Sequence, residues 1–138
     1  MNRGLEIQTH LAIDRALSGE PMELTEGRAV VRLETTRTMS ADGHGLVHGG
    51  FVFSLADHAA MLAVNQPTVV LGAASTRFLA PTRVGEILWA EAQVEEVDGK
   101  KQSVAVTVRA GHADGATGEP TFTGSFTCFV PSRHVLEG

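Results

Sequence analysis

The stretch Gly49–Asn65 constrains the fold more than any other part of the sequence. It reads GGFVFSLADHAAMLAVN, contains no proline, and is rich in Ala, Leu and Met, which favour helix. Its length suits a helix of about four to five turns. Its apolar residues surround the helix axis instead of forming one stripe: Phe51, Phe53, Leu55, Ala60, Met61 and Val64. A helix that is apolar all round must be covered on most sides, so the rest of the chain is expected to wrap it.

The remaining sequence supplies the wrapping because it reads mainly as strand. Alternating or Val/Ala/Thr-rich segments predict strands at 28–36, 68–79, 86–97, 103–110 and 121–130. Asp98-Gly99 is a two-residue hairpin signal, and short connections make neighbouring strands antiparallel. Upstream, Leu5 to Leu17 is a weak amphipathic pattern that predicts a short helix. We therefore expect a single α+β domain over residues 1–138, with a five-stranded antiparallel sheet and residues 1–27 as an N-terminal extension.

Charge and cysteine content narrow the partners and the location. The formal net charge of −5 argues against nucleic acid as the main partner, since phosphate binding needs a basic surface. Cys128 is the only cysteine, so no intrachain disulfide exists, and a cytoplasmic location is expected. The N-terminus lacks a continuous apolar signal region, and the longest apolar stretch is interrupted by polar residues, so no membrane partner is expected. Val/Ala-rich strands indicate that a second copy covers part of the sheet, which predicts a homodimer.

Asp57 lies inside the apolar helix, well away from its ends. It cannot cap the helix, and burying its carboxylate without a partner is costly. Two structural interpretations stay open: Asp57 occupies the one solvated face, or it pairs with Arg77 or His48. The functional interpretation is a general base or nucleophile in a dry pocket, where desolvation raises its pKa.

His48-Gly49-Gly50 stands immediately before the helix. Glycines let a ligand approach the backbone, and the free N–H groups of a helix start carry the positive end of the helix dipole. These donors are suited to a thioester carbonyl and to the oxyanion that forms on attack, with Gly49 as a further substrate contact. Asp57 follows Gly50 by seven residues, about two turns along the same helix face. Two glycines at a turn are common, so the combination carries more weight than either part.

Other polar residues are weaker candidates. Ser54, one turn before Asp57, is a substrate contact or a small residue that eases helix packing. Arg77 and Arg83 flank a Pro/Gly turn and are candidate phosphate ligands, although a loop with solvated arginines explains Arg83 equally well. The histidines lack metal-ligand spacing, and His44 with His48 has no further obvious ligands, so no metal is expected.

The segments GLVHGGFVFSLADHAAMLAVN and TRFLAPTRVGEILWAEAQV together resemble the hotdog-fold acyl-CoA thioesterases, in particular the phenylacetate-pathway type. The resemblance runs from about residue 33 to residue 130. It implies the hotdog fold, a long helix wrapped by a curved antiparallel sheet. It also implies that two chains pair their sheets with each active site at the subunit interface. Assembly of two such dimers into a tetramer stays open. The substrate is then an acyl-CoA, with coenzyme A as part of the substrate and no separate cofactor.

The resemblance also assigns roles to individual residues. Asp57 matches the helix carboxylate that activates water or attacks the thioester, Gly50 matches the glycine whose N–H polarises the carbonyl, and His48 matches the motif histidine that shapes the site. Arg77 and Arg83 fall where relatives often contact coenzyme A. One departure is Asp42, where many relatives have asparagine. If Asp42 approached Asp57, each carboxylate would raise the pKa of the other, which puts the hydrolytic efficiency in doubt.

Three functions follow from the resemblance. The leading one is hydrolysis of an acyl-CoA to the free acid and coenzyme A. The alternative is a non-catalytic acyl-CoA-binding or sensing protein on the same scaffold, since fold does not dictate function. Direct DNA regulation is disfavoured because the N-terminal segment is too short for a helix-turn-helix and the charge is wrong. A hydratase or dehydratase of acyl thioesters is weaker, because such relatives use differently arranged motifs.

Overall fold

The computed structural model describes residues 4–137, which form two helices, two short 3-10 turns and six strands. The helices are α1 (Arg15–Ser18) and α2 (Gly49–Val64), and the 3-10 turns cover Arg37–Met39 and Val135–Glu137. The strands are β1 (Glu20–Thr25), β2 (Arg28–Glu34), β3 (Val70–Phe78), β4 (Ile87–Asp98), β5 (Lys101–His112) and β6 (Gly115–Phe129). The predicted long helix and all five predicted strands are therefore present.

All strands join one antiparallel sheet in the order β1-β2-β4-β5-β6-β3. The predicted α+β class is confirmed, but the sheet has six strands instead of the expected five. The additional strand is β1, which lies in the segment assigned to an N-terminal extension. Met22 and Leu24 are buried and alternate with exposed Glu23 and Thr25, so β1 carries a strand pattern. Gly27, with φ 75°, makes the tight turn into β2.

Helix α2 packs into the concave face of this sheet, and the two share one core. Leu55, Ala56, Ala59 and Leu62 of the helix are essentially fully buried. The sheet contributes alternate residues of β2, β4, β5 and β6: Ala29, Val31, Leu33, Leu88, Ala90, Ala92, Val104, Val106, Val108, Phe122, Phe126 and Cys128. Small alanines on both surfaces let the helix approach closely, and bulges in four of the strand pairs increase the local twist of the sheet.

The predicted helix over residues 5–17 is wrong except for its last turn. Only Arg15–Ser18 is helical, and Asp14 caps it by accepting from the Ala16 N–H at 2.9 Å. Residues 4–19, which we call the N-terminal strap, instead follow an irregular path that includes a left-handed residue, His10, with φ 56°. Asn65, at the end of α2, holds the strap: its Oδ1 accepts from the Gln8 N–H at 2.8 Å and its Nδ2 donates to the Glu6 carbonyl at 2.9 Å. These contacts with the end of α2 outweigh the weak local helical pattern.

The two edges of the sheet differ in character. Strand β1 carries Pro21, a bulge and two glutamates, features that protect an edge from further pairing. Strand β3 is regular apart from one bulge and exposes a run of small uncharged residues from Gly72 to Ser75. It ends at Phe78, which is 55% exposed, followed by Leu79, which is 53% exposed. The β3 edge is thus the more open to another strand.

Within residues 4–137, no helix combines the length and the apolar character that a bilayer crossing requires.

Candidate active site

Asp57 is half-buried in the third turn of α2, on a helix whose other central residues are largely in the core. Its Oδ1 is inaccessible to solvent and has no hydrogen-bond partner among the described residues. This loss of solvation raises the pKa of the carboxyl from 3.8 to about 6. Neither Arg77 nor His48 forms an ion pair with it, so the structural interpretation in which Asp57 pairs with one of them is not observed. A carboxylate with this pKa suits acid–base chemistry near neutral pH.

Cys128 is a buried thiol that interacts electrostatically with Asp57. The thiol is fully buried on β6, the neighbour of edge strand β3. Its pKa is raised to about 12, first by burial and then by the negative charge of Asp57. The Asp57 carboxylate is thus close enough to the Cys128 thiol of β6 to influence its pKa. The protonated thiol behaves as a small core residue, as predicted for Cys128.

The start of α2 presents two backbone donors. The N–H groups of Gly49 and Gly50 have no acceptor in the described part of the chain, as expected at a helix start. A Cβ at Gly50 would lie 2.9 Å from His48 Nε2, and one at Gly49 would lie 3.2 Å from the Phe78 ring. The His48 ring also makes an edge-to-face contact with Phe51, at 6.1 Å between centroids, and caps no helical N–H. The His48 and Phe78 side chains therefore border the two N–H donors. Glycine at positions 49 and 50 leaves space for these side chains, because a Cβ would crowd them.

Gly50 and Asp57 lie at different heights along α2. Asp57 follows Gly50 by seven positions, which corresponds to about 10 Å along the axis of a regular helix. A reacting carbonyl carbon must lie within about 3–3.5 Å of its attacking group. That both groups serve one substrate stays a prediction, and the spacing favours a site that combines groups from two chains.

Asp42 is engaged with its own loop. Its Oδ1 accepts from the N–H of His44 at 2.8 Å and of Leu46 at 3.3 Å, and its Oδ2 lies 4.0 Å from His44 Nδ1. This turn orders the glycine-rich loop that leads into α2. Burial is the cause of the raised pKa of Asp57, so a repulsive effect of Asp42 is not needed to explain it. Residues 4–137 contain no group of three metal-ligating side chains.

Ser54 points to the strap. Its hydroxyl lies 2.7 Å from the hydroxyl of Ser18. Ser18 is a buried residue, with 6% of its surface exposed. The next turn of the helix adds His58, buried at 2% exposure, whose Nδ1 lies 3.1 Å from the Ser18 carbonyl oxygen. Sequence reasoning missed both Ser18 and His58. The only available signal was a histidine beside Asp57 on an apolar helix, which is also compatible with an ordinary core residue.

Arg77 and Arg83 are exposed on the side where α2 begins. Arg77 is the penultimate residue of β3, and Arg83 lies in the turn before β4, where its backbone bridges to Leu46. Neither guanidinium makes a hydrogen bond or ion pair within residues 4–137. Both are therefore available to an anionic ligand.

An apolar groove of about 320 Å³ lies next to the helix start. Leu46, Val52, Phe78 and Leu79 contribute to its walls, and Gly49 lies at its edge. The groove is open to solvent in the single chain. It joins the backbone donors to the exposed end of β3, so these features form one continuous surface.

Comparison with known proteins identifies the family. Residues 44–116, which hold the start of α2 and Asp57, match the model of the thioesterase superfamily. Over 102 residues the chain is 52% identical to methylthioribose-1-phosphate isomerase of Aquifex aeolicus, a match that covers 74% of this chain but 22% of that longer protein. It is 39% identical over 95 residues to the acyl-coenzyme A thioesterase PaaI of Escherichia coli, covering 67% of this chain and 66% of PaaI.

Solved structures agree with this assignment. An uncharacterized protein of Pyrococcus horikoshii, PH1136, superposes with a TM-score of 0.88 at 48% identity, over 96% of this chain and 97% of that one. The PaaI protein of the E. coli phenylacetic acid degradation operon superposes with a TM-score of 0.75 at 27% identity, over 87% and 84% of the two chains. The chain therefore belongs to the thioesterase superfamily, and it is a PaaI-like member with the hotdog fold.

Proposed function

We propose that the protein is an acyl-CoA thioesterase that works as a homodimer, with Asp57 as the general base or nucleophile. The observation that carries the proposal is the carboxylate itself, whose buried oxygen Oδ1 has no hydrogen-bond partner within residues 4–137. A buried polar atom of this kind is costly unless something outside the chain pairs with it. A substrate or an attacking water, brought in at a subunit interface, would supply that partner.

The helix spacing supports an active site shared between two chains. Because Gly50 and Asp57 are about 10 Å apart along one helix, each reaction centre needs the donors of one protomer and the carboxylate of its partner. Pairing of two β3 edges would bury the small residues between Gly72 and Ser75 and would cover Phe78 and Leu79. The same pairing would bring both α2 helices to a common interface. Family membership agrees with this arrangement at the level of the fold.

In this scheme the N–H groups of Gly50 and Gly49 hold the thioester carbonyl and stabilise the oxyanion. His48 keeps the approach to them narrow. Asp57 accepts a proton from water as the water oxygen bonds to the acyl carbon; the carbon–sulfur bond then breaks, and the proton passes to the departing coenzyme A sulfur. If Asp57 attacks directly, water hydrolyses the resulting anhydride. Coenzyme A enters as part of the substrate, and its phosphates would lie against the free guanidiniums of Arg77 and Arg83.

A thioesterase assay tests the proposal. Release of coenzyme A is measured from a panel of acyl- and aryl-CoA substrates with wild-type protein, Asp57→Asn and Asp57→Ala. We expect turnover of at least one substrate, a loss of ~10²-fold or more in both variants, and kcat/KM that rises with pH through about 6 as Asp57 loses its proton.

Two results would change the conclusion. Tight binding without turnover across the panel would favour the acyl-CoA sensor over the enzyme. Full turnover by Asp57→Asn would remove Asp57 from the chemistry.

A further inference from the structure

The strap meets α2 at a small buried polar cluster that includes Ser18, Ser54 and His58. Ser18 contributes both of its oxygens: the hydroxyl bonds the Ser54 hydroxyl at 2.7 Å, and the carbonyl accepts from His58 Nδ1 at 3.1 Å. On α2, Ser54 lies three residues before Asp57 and His58 lies one residue after it. The turn of helix that carries the carboxylate is thus tied to the strap on both sides.

Ser18 is itself held in place. Its N–H donates to the Asp14 carbonyl at 3.0 Å in the last turn of α1. Gly19, which follows it, has φ 107°, and a Cβ there would lie 2.6 Å from a Val31 methyl and 2.9 Å from a Leu55 methyl. The chain at this point is wedged between β2 and α2. The backbone that carries Ser18 is therefore fixed in position relative to α2.

The Asp57 carboxylate, in contrast, has a buried oxygen, Oδ1, that receives no hydrogen bond from any described residue. Where a carboxylate lacks hydrogen bonds, its position depends on the backbone turn that carries it and on packing around that turn. Catalytic groups lose rate steeply when they are misplaced by an ångström or less.

Since Asp57 is the proposed catalytic group, an inference that depends on the thioesterase proposal follows. We propose that Ser18 is a positioning residue, which fixes the Asp57 turn of α2 through its two contacts with Ser54 and His58. The catalytic apparatus would then include a residue of the N-terminal strap, outside the span matched by the family model. Ser18 does not touch the substrate in this arrangement.

The test is a double-mutant cycle between Ser18→Ala and Ser54→Ala. Each substitution removes the same hydroxyl pair, so each is expected to lower kcat by about 3- to 10-fold with KM within about twofold, and the double variant to be no slower than either single variant. The pH midpoint of kcat/KM should move from about 6 toward the ordinary value of 3.8 as water reaches the loosened carboxylate.

A matched control separates positioning from general stability. Asn65→Gly keeps the left-handed backbone at φ 51° but removes both strap contacts at the far end of α2. It should lower Tm while leaving kcat and the pH midpoint unchanged. A similar loss of kcat and a similar shift of the midpoint in Asn65→Gly would overturn the proposal, as would unchanged kinetics in Ser18→Ala.

A measurement without substrate distinguishes failure of this inference from failure of the proposed activity. The Asp57 carboxyl of ¹³C-aspartate-labelled protein can be titrated by NMR in wild type, Ser18→Ala and Asn65→Gly. Positioning predicts a lower Asp57 pKa in Ser18→Ala alone, whether or not the protein hydrolyses thioesters. An equal Asp57 pKa in all three proteins would overturn it.

Discussion

At the scale of single residues, Asp57 combines a chemical advantage with a cost in stability. Burial raises its pKa to about 6, which means that the folded protein disfavours the charged form. Above that pH the folded state must hold a charged carboxylate whose buried oxygen has no hydrogen-bond partner in the described part of the chain. A residue selected for packing alone would avoid this arrangement, and strained or destabilising groups of this kind are typical of functional sites.

The first prediction is that Asp57→Asn stabilises the protein at pH 8. A carboxyl whose folded pKa is raised contributes stability below its unfolded pKa of 3.8 and loses it as pH rises through about 6. Each unit of the Asp57 pKa shift corresponds to ~1.4 kcal/mol. After a reduction for the partial exposure of Asp57, the free energy of unfolding should increase by an amount on the order of 1–3 kcal/mol. Urea denaturation at pH 8 and pH 5 measures it. A gain that was equal at both pH values would show that charge burial is not the cause.

At the scale of elements, the strap and α2 are joined by two neighbouring histidines. The rings of His10 and His58 stack with centroids 6.2 Å apart, and His10 Nδ1 lies 2.9 Å from the Thr9 hydroxyl. Burial lowers the pKa of both; for His58 it is offset in part by the Ser18 carbonyl and Glu20 and reinforced by His10 and Arg15. Both imidazoles are therefore neutral when the strap is in place at neutral pH.

The second prediction is that acid weakens the strap. Because the folded pKa values of His10 and His58 lie below 6.5, the stability that they contribute is present above 6.5 and is lost as pH falls toward the folded pKa values. Asp57 has the opposite trend, so the measurement is made in the Asp57→Asn background. Protection factors of strap amides, which correct hydrogen exchange for its intrinsic pH dependence, should fall between pH 7 and pH 5 before those of β5. His10→Gln should reduce this pH dependence, and an unchanged dependence would contradict the assignment.

At the scale of the whole molecule, the two sheet edges predict how copies associate. The β1 edge carries Pro21, a bulge and acidic side chains, whereas β3 exposes four small uncharged residues in a row, from Gly72 to Ser75. A long exposed edge of this kind tends to pair with another strand. If two protomers share each active site as proposed, association and activity should depend on the same β3 edge.

The third prediction is that a positive charge introduced on β3 prevents dimerisation and, as a result, also removes thioesterase activity. Ala74→Lys places a lysine on the exposed edge, where two copies would bring like charges together. We expect a monomer by sedimentation at micromolar concentration, native-like circular dichroism, and turnover reduced by ~10²-fold or more because each site loses its partner group. Thr25→Lys on the β1 edge is the matched control and should remain dimeric and active. A monomeric wild type would contradict the dimer proposal.

The sequence by itself was enough for features that depend on local pattern. Helix α2, the apolar faces of the strands and the Asp98-Gly99 turn follow from propensity and periodicity, which act over a few residues. The isolated Asp57 and the glycines at the helix start were visible for the same reason. Strand β1 also carried a local signal, in Met22, Leu24 and Gly27, although the short alternating run was assigned to an extension.

Tertiary structure alone decided the features that join distant parts of the chain. The sheet order leaves β3 at an edge, the strap meets α2 at Ser18 and His58, and the Asp42 carboxylate turns back onto its own loop. None of these follows from local pattern, because each depends on which distant groups compete for the same donor, acceptor or buried surface. For the same reason only the folded structure shows that the buried Oδ1 of Asp57 finds no hydrogen-bond donor within residues 4–137.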